Sequence, residues 1–143
     1  MNKDHSSTPL ILPNKFFITQ MEKGFQPQST RDWSRKIKSI YGNQCVITGV
    51  SAKDGKIVAH HLNSKKEFPQ LTFSILNGLP LLDVVHKHLH KKCGFNTNLC
   101  QFKGYLEVVF ENNPQFDPQR LILLSDWVEF LEIEIEKKYS DLV

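Results

Sequence analysis

Cysteine is too scarce in this chain to hold it together covalently. Cys45, Cys93 and Cys100 are its three cysteines in 143 residues, which excludes a disulfide-stapled secreted scaffold and fits a reducing compartment. None belongs to a Cys-x-x-Cys pair, so zinc-ribbon spacing is missing and the thiols read as free. Long apolar runs are absent too: no stretch reaches the roughly 20 residues of a membrane span, and the N-terminus lacks the apolar centre of a signal peptide. There is no internal repeat and no low-complexity tract. The expectation is a soluble intracellular protein, cytoplasmic or in an organelle, with no membrane partner. Its apolar share of 40% is enough for a modest core.

Charge of one sign is not in large excess, but it is unevenly placed. The net charge is only +3, yet from Arg31 to Lys92 eleven Lys or Arg face four Asp or Glu, and from Asp126 to Asp141 six acidic residues face two basic ones. The middle of the chain is therefore the part suited to phosphate, with Arg31, Arg35, Lys36, Lys38, Lys65, Lys66, Lys87, Lys91 and Lys92 as candidates for DNA backbone contacts. Such contacts confer affinity rather than sequence reading.

Histidine is concentrated in that basic part. His86 and His90 lie in a run free of Gly and Pro, from about Leu81 to Lys92, with helical character. Residues four apart share a helix face, so the two imidazoles can bind one cation. His60 and His61 sit in Ile57-Val58-Ala59-His60-His61, which reads as a short strand after the Asp54-Gly55 turn. Neighbours on a strand point to opposite faces, so one of these two can complete a metal site while the other faces a substrate. A cation and a neutral imidazole base are what phosphodiester hydrolysis requires. Asn77 supplies an amide able to pin the loop that presents the base.

The remaining pattern predicts an α+β chain. Residues 1–28 read as an extended N-terminal arm with two apolar patches, Leu10-Ile11-Leu12 and Phe16-Phe17-Ile18. A helix from Ser29-Thr30 to Tyr41 stops at Gly42. Strands at Cys45–Thr48 and Ile57–His61 form a hairpin, followed by the histidine helix. Two more helices, about Asn98 to Glu111 and about Pro118 to Lys138, supply support. In the last one Leu121, Leu124, Val128, Leu131 and Ile135 make an apolar stripe, widened by Trp127 and Phe130. The stripe reads as intrachain core, with a homodimer as the other use of this helix.

From about Arg31 to Phe110 the chain resembles the HNH (His-Me finger, ββα-metal) endonucleases, in particular phage-type and intron-type members. The residues that carry the resemblance are Ala59-His60-His61-Leu62, Glu67-Phe68-Pro69, Asn77-Gly78-Leu79, His86-Lys87-His88-Leu89-His90-Lys91-Lys92, Asn96-Thr97-Asn98 and Gln101-Phe102. The resemblance implies a nuclease domain over 29–112 with a ββα-metal core; the apolar stripe makes 113–143 a C-terminal helix that packs on this core or mediates dimerisation. It implies His60, His86 and His90 as metal ligands, His61 as general base and Asn77 as its support. His88 has no counterpart and should point away.

Many relatives hold a structural zinc with two Cys-x-x-Cys pairs. Here Cys45 alone remains, so no structural zinc is expected, and Leu82 and Val85 should fill that space. One divalent ion is implied, with Mg, Mn, Ni and Zn as candidates; three nitrogens and no carboxylate suit Zn, Ni, Co or Mn better than Mg. The expected function is metal-dependent DNA cleavage, in homing, restriction, defence or phage packaging. The alternatives are an inactive DNA-binding or assembly module with the same fold, and an interaction protein working through its last helix.

Overall fold

A computed structural model describes residues 8–142. Asn14 opens α1 (Lys15–Gly24) by accepting from the N–H groups of Phe16 and Phe17, and Ser29 opens α2 (Thr30–Ile40) by accepting from that of Asp32. The chain continues through β1 (Ile57–His61), two 3-10 turns, β2 (Gly78–Leu82), α3 (Asp83–Cys93), α4 (Leu99–Glu111) and α5 (Pro118–Leu142). Asn98 and Gln101 form a reciprocal cap at the start of α4. Five helices and one antiparallel pair of strands make the described residues an α+β structure. None of these helices is long and apolar enough to cross a membrane.

Two expectations require correction. The predicted hairpin partner of β1, Cys45–Thr48, is not a strand. Cys45 N–H donates to Val50 O and Gly49 N–H returns to Cys45 O, both at 2.9 Å, which closes the segment into a turn with Gly49 at φ 79°. An isolated bridge between Gln44 and Ser51 closes the base of this turn. The true partner is β2, with His61 opposite Gly78, His60 opposite Leu79 and Ala59 opposite Pro80.

Proline argues against a strand because it has no N–H for the ladder. Here the hydrogen bonds Leu62 N–H to Asn77 O and Asp83 N–H to Lys56 O fix the alternation, so the Ala59–Pro80 pair falls where no ladder bonds are exchanged. Pro80 turns its nitrogen away from β1, and its carbonyl accepts from Val46 N–H at 3.1 Å. The turn at 45–50 is thereby tied to the sheet without joining it.

The arm is the second correction. Residues 1–7 of it lie outside the described residues, but residues 15–24 are helical rather than extended. Ile18 is completely buried. The Glu22 carboxylate accepts from Ile75 N–H at 2.8 Å and pairs with Lys138 of α5. The apolar Phe16-Phe17-Ile18 patch thus forms one turn of an amphipathic helix, with Ile18 inward and Phe16 outward.

The core joins Trp33 and Ile37 of α2, Tyr41 at its C-cap, Leu79 and Leu81 of β2, Leu89 of α3, Phe102 and Leu106 of α4, and Leu124, Val128 and Leu131 of α5. Trp127 Nε1–H donates to the buried Tyr41 hydroxyl at 2.8 Å. Arg120, at the start of α5, is only 4% exposed. Its guanidinium donates to the carbonyls of Cys45, Val46 and Thr8. A side chain so deeply buried and always charged needs such acceptors. Leu82 packs beside the neighbouring turn: a Cβ at Gly55 would lie 2.6 Å from its Cδ1 and 3.3 Å from Val50 Cγ1.

Candidate metal centre

Strand pleat separates the paired histidines. His60 is buried, and its ring faces α3 and α4, with centroids 5.2 Å from His86, 5.5 Å from His90 and 5.8 Å from Phe102. His86 and His90, one turn apart on α3, bring their Nε2 atoms to 3.0 Å. One ring nitrogen from each of the three histidines lies within 4.8 Å of the others. Two imidazoles on one tetrahedral ion with ordinary bond lengths have their nitrogens about 3.3 Å apart, so the α3 pair is close to that geometry.

Hydrogen bonds select which nitrogens are free. His90 Nδ1 lies 2.8 Å from Gly94 O. A carbonyl only accepts, so Nδ1 carries the proton and Nε2 keeps its lone pair toward the other two rings. This backbone carbonyl is the usual kind of outer partner for a metal-binding histidine. His60 Nε2 is buried with no protein partner. An unpaired buried polar atom is costly, and a cation is one group that would satisfy it. Burial, followed by the neighbouring rings, holds His60 well below the ordinary histidine range, and burial together with His90 pushes His86 down to about 4. Neutral rings are the form that binds metal. The donor set thus fits a borderline divalent ion such as Zn, Ni, Co or Mn.

His61 points the other way, onto α2. Its ring lies flat on Trp33, with centroids 3.8 Å apart and planes 8° apart. Its Nε2 sits 2.9 Å from Thr72 O and must donate to it. The lone pair is therefore on Nδ1. Burial lowers the His61 pKa, the Thr72 carbonyl raises it, and Lys65 lowers it.

The Asn77 side chain forms no hydrogen bond with His61. Completely buried, it accepts through Oδ1 from Asn63 N–H and Nδ2–H, and donates through Nδ2 to Asn63 O and Leu71 O. Those four bonds lock the two ends of the 63–77 loop, including the residue next to Thr72. Asn63 Oδ1 also accepts from Leu99 N–H at 3.1 Å, and Trp33 Nε1–H donates to Ser74 O at 2.8 Å, which fastens the loop to α2.

His60, His61, His86, His90, Lys65 and Lys66 line one depression of about 280 Å3, together with Ala59, Ser64, Phe95, Asn96 and Thr97. The other basic candidates are elsewhere. Arg35 and Lys36 line a groove beside residues 25–28, with Lys36 5.3 Å from the Phe25 ring centre. Lys38 is half-buried on α2 and Lys91 exposed on α3. Lys87 pairs with Asp83 at 3.0 Å, which also occupies that carboxylate. Lys92 borders the α3–α4 groove with His88, whose Nδ1 lies 2.7 Å from Tyr105 Oη, outside the histidine trio. Trp33, Asn63, Thr72 and Phe95 belong to the site and were not singled out from the sequence. For Thr72 no residue signal exists, because the group involved is main chain.

No family profile, curated protein or solved structure matches the chain. The chemistry of the cluster therefore carries the functional argument.

Proposed function

We propose that this protein is a metal-dependent DNA endonuclease of the HNH type, with a ββα-metal core made of β1, β2 and α3. The observation that carries the proposal is the division of labour within the histidine pair: the His60 ring packs against His86 and His90, while His61 stacks on Trp33 and keeps a free Nδ1 lone pair. A structural metal site would need the first half of that arrangement only.

In this reading His60, His86 and His90 hold one divalent ion. When bound, the ion supplies charge neutralisation at a non-bridging phosphate oxygen and at the departing oxygen. His61 Nδ1 takes the proton of the attacking water, and the Thr72 carbonyl steadies the resulting imidazolium through Nε2–H. Trp33 prevents the ring from tilting, and Asn77 holds the loop that carries Thr72. Lys65 and Lys66 attract the DNA backbone to the depression. The expected products are a 5′-phosphate and a 3′-hydroxyl.

The reading is tested by comparing plasmid cleavage by wild type and His61→Ala under chelator and then with single added metals. Metal-dependent cutting that disappears in the variant is the expected result.

A further inference from the structure

Phe95 is 88% exposed, the highest value among the large apolar side chains of the described residues. Isolated exposed apolar residues are ordinary on a surface. This one, however, lines the histidine and lysine depression, with its ring centroid 6.1 Å from that of His90 and the planes 25° apart.

The turn that presents it is specified. Gly94 adopts φ 88° and ψ 179°, a conformation open essentially to glycine alone. A Cβ there would meet nothing within 4 Å, so conformation rather than space demands the glycine. Gly94 N–H donates to His90 O and Gly94 O accepts from His90 Nδ1, both at 2.8 Å. One residue therefore orients a proposed ligand and the aromatic ring beside it.

An open aromatic face next to two ammonium groups and a cation-binding trio matches a ligand with a phosphate and a flat π-surface. That is the chemistry of a nucleotide in a strand. A base within an intact duplex has both faces covered by its neighbours. To stack on Phe95 it must first leave the stack, at a mismatch, an opened step or in single-stranded DNA.

We propose, resting on the nuclease reading above, that Phe95 is a base-stacking residue that directs cleavage to DNA locally unstacked beside the scissile phosphate. Its ring would take the place of a neighbouring base, while Lys65 and Lys66 hold the backbone. Wild type should then prefer single-stranded or mismatched DNA to a perfect duplex.

The test uses the full chain with Phe95→Ala, Phe95→Leu and Phe95→Trp; the exposure of this side chain leaves the fold untouched by each. Two readouts are needed: cleavage of matched, mismatched and single-stranded DNA with added metal, and the fluorescence on binding, under chelator, of a single-stranded oligodeoxynucleotide carrying 2-aminopurine. Phe95→Ala and Phe95→Leu are expected to bind and cut unstacked DNA roughly ten-fold less well and to lose the fluorescence quenching, while Phe95→Trp restores both. Equal quenching and equal substrate preference in all four proteins would overturn the stacking role. Cleavage of no DNA by wild type would overturn the nuclease reading instead, and quenching that still depends on an aromatic at 95 would preserve the stacking one.

Discussion

Trp33 lies face to face with His61 at 3.8 Å between ring centres, although the two belong to different elements, α2 and β1. The indole also spends its N–H on Ser74 O, at the far end of the loop that supplies the Thr72 carbonyl. One side chain thus fixes the plane of the base and anchors the loop that fixes its tautomer. Trp33→Phe keeps a ring but removes one of the two donors to Ser74 O, which retains Asn77 N–H, and should lower stability by about 0.5–1.5 kcal/mol. Trp33→Leu removes the flat support and should reduce kcat about ten-fold or more, since small displacements of a catalytic group are expensive. Metal affinity, measured by calorimetry, should be unaltered in Trp33→Phe.

Asn77 is expected to act on the loop rather than on the ion. Asn77→Ala leaves the Asn63 N–H and carbonyl without their Asn77 partners in the interior, each unsatisfied group costing about 1–3 kcal/mol, while Leu71 O keeps Ser74 N–H. Chemical denaturation should report a lower midpoint. Where the variant remains folded, it should bind metal as wild type does and cleave far more slowly. A variant that lost metal binding while retaining its stability would speak against this assignment.

Arg120 ties the 45–50 turn to the body of the protein through the carbonyls of Cys45 and Val46. Arg120→Met should cost about 1–3 kcal/mol, because the buried Val46 carbonyl loses its donor and the Cys45 carbonyl keeps Gly49 N–H alone. Thermal melts with and without chelator would measure it. The loss should be the same in both conditions if the guanidinium, and not a metal, holds the turn.

The histidines of the candidate site were legible because their spacing carries geometry: four residues on a helix, one residue on a strand. Helix boundaries were legible at Ser29, Asn98 and Pro118, where capping chemistry is local. β2 was not, since Pro80 speaks against a strand and its compatibility depends on the register against Ala59, which is non-local. Cys45-Val46-Ile47 misled for the opposite reason. Its apolar run looks like a strand, but burial of a turn by Arg120 and Pro80 O explains it as well. Trp33 gave no signal, because stacking on His61 arises only when α2 crosses the sheet.

Acid should weaken the metal-free protein. His60 and His86 have folded pKa values below the ordinary 6.5, His86 at about 4, both chiefly through burial. Between those limits the unfolded chain binds protons that the folded chain refuses, so stability rises with pH. The contribution is complete above 6.5 and is lost as pH falls toward 4. Urea midpoints under chelator should therefore drop on going from about pH 7.5 to about pH 5. A midpoint that stayed level or rose would contradict the burial of neutral histidines. Added Zn or Ni should raise the midpoint at neutral pH, through a gain in unfolding free energy of about 2.7 kcal/mol at a hundred-fold excess over its dissociation constant.

The most direct measurement is supercoiled-plasmid cleavage by wild type and by His61→Ala, first with chelator and then with Mg, Mn, Ni and Zn restored one at a time. The account expects no cutting under chelator, cutting with a nitrogen-preferring metal, and its loss in His61→Ala although the variant still binds that metal. Full cleavage by His61→Ala would contradict the base assignment. Absence of cleavage by wild type with every metal and a full range of DNA substrates, while metal and DNA are both bound, would contradict the enzyme reading and leave a binding module.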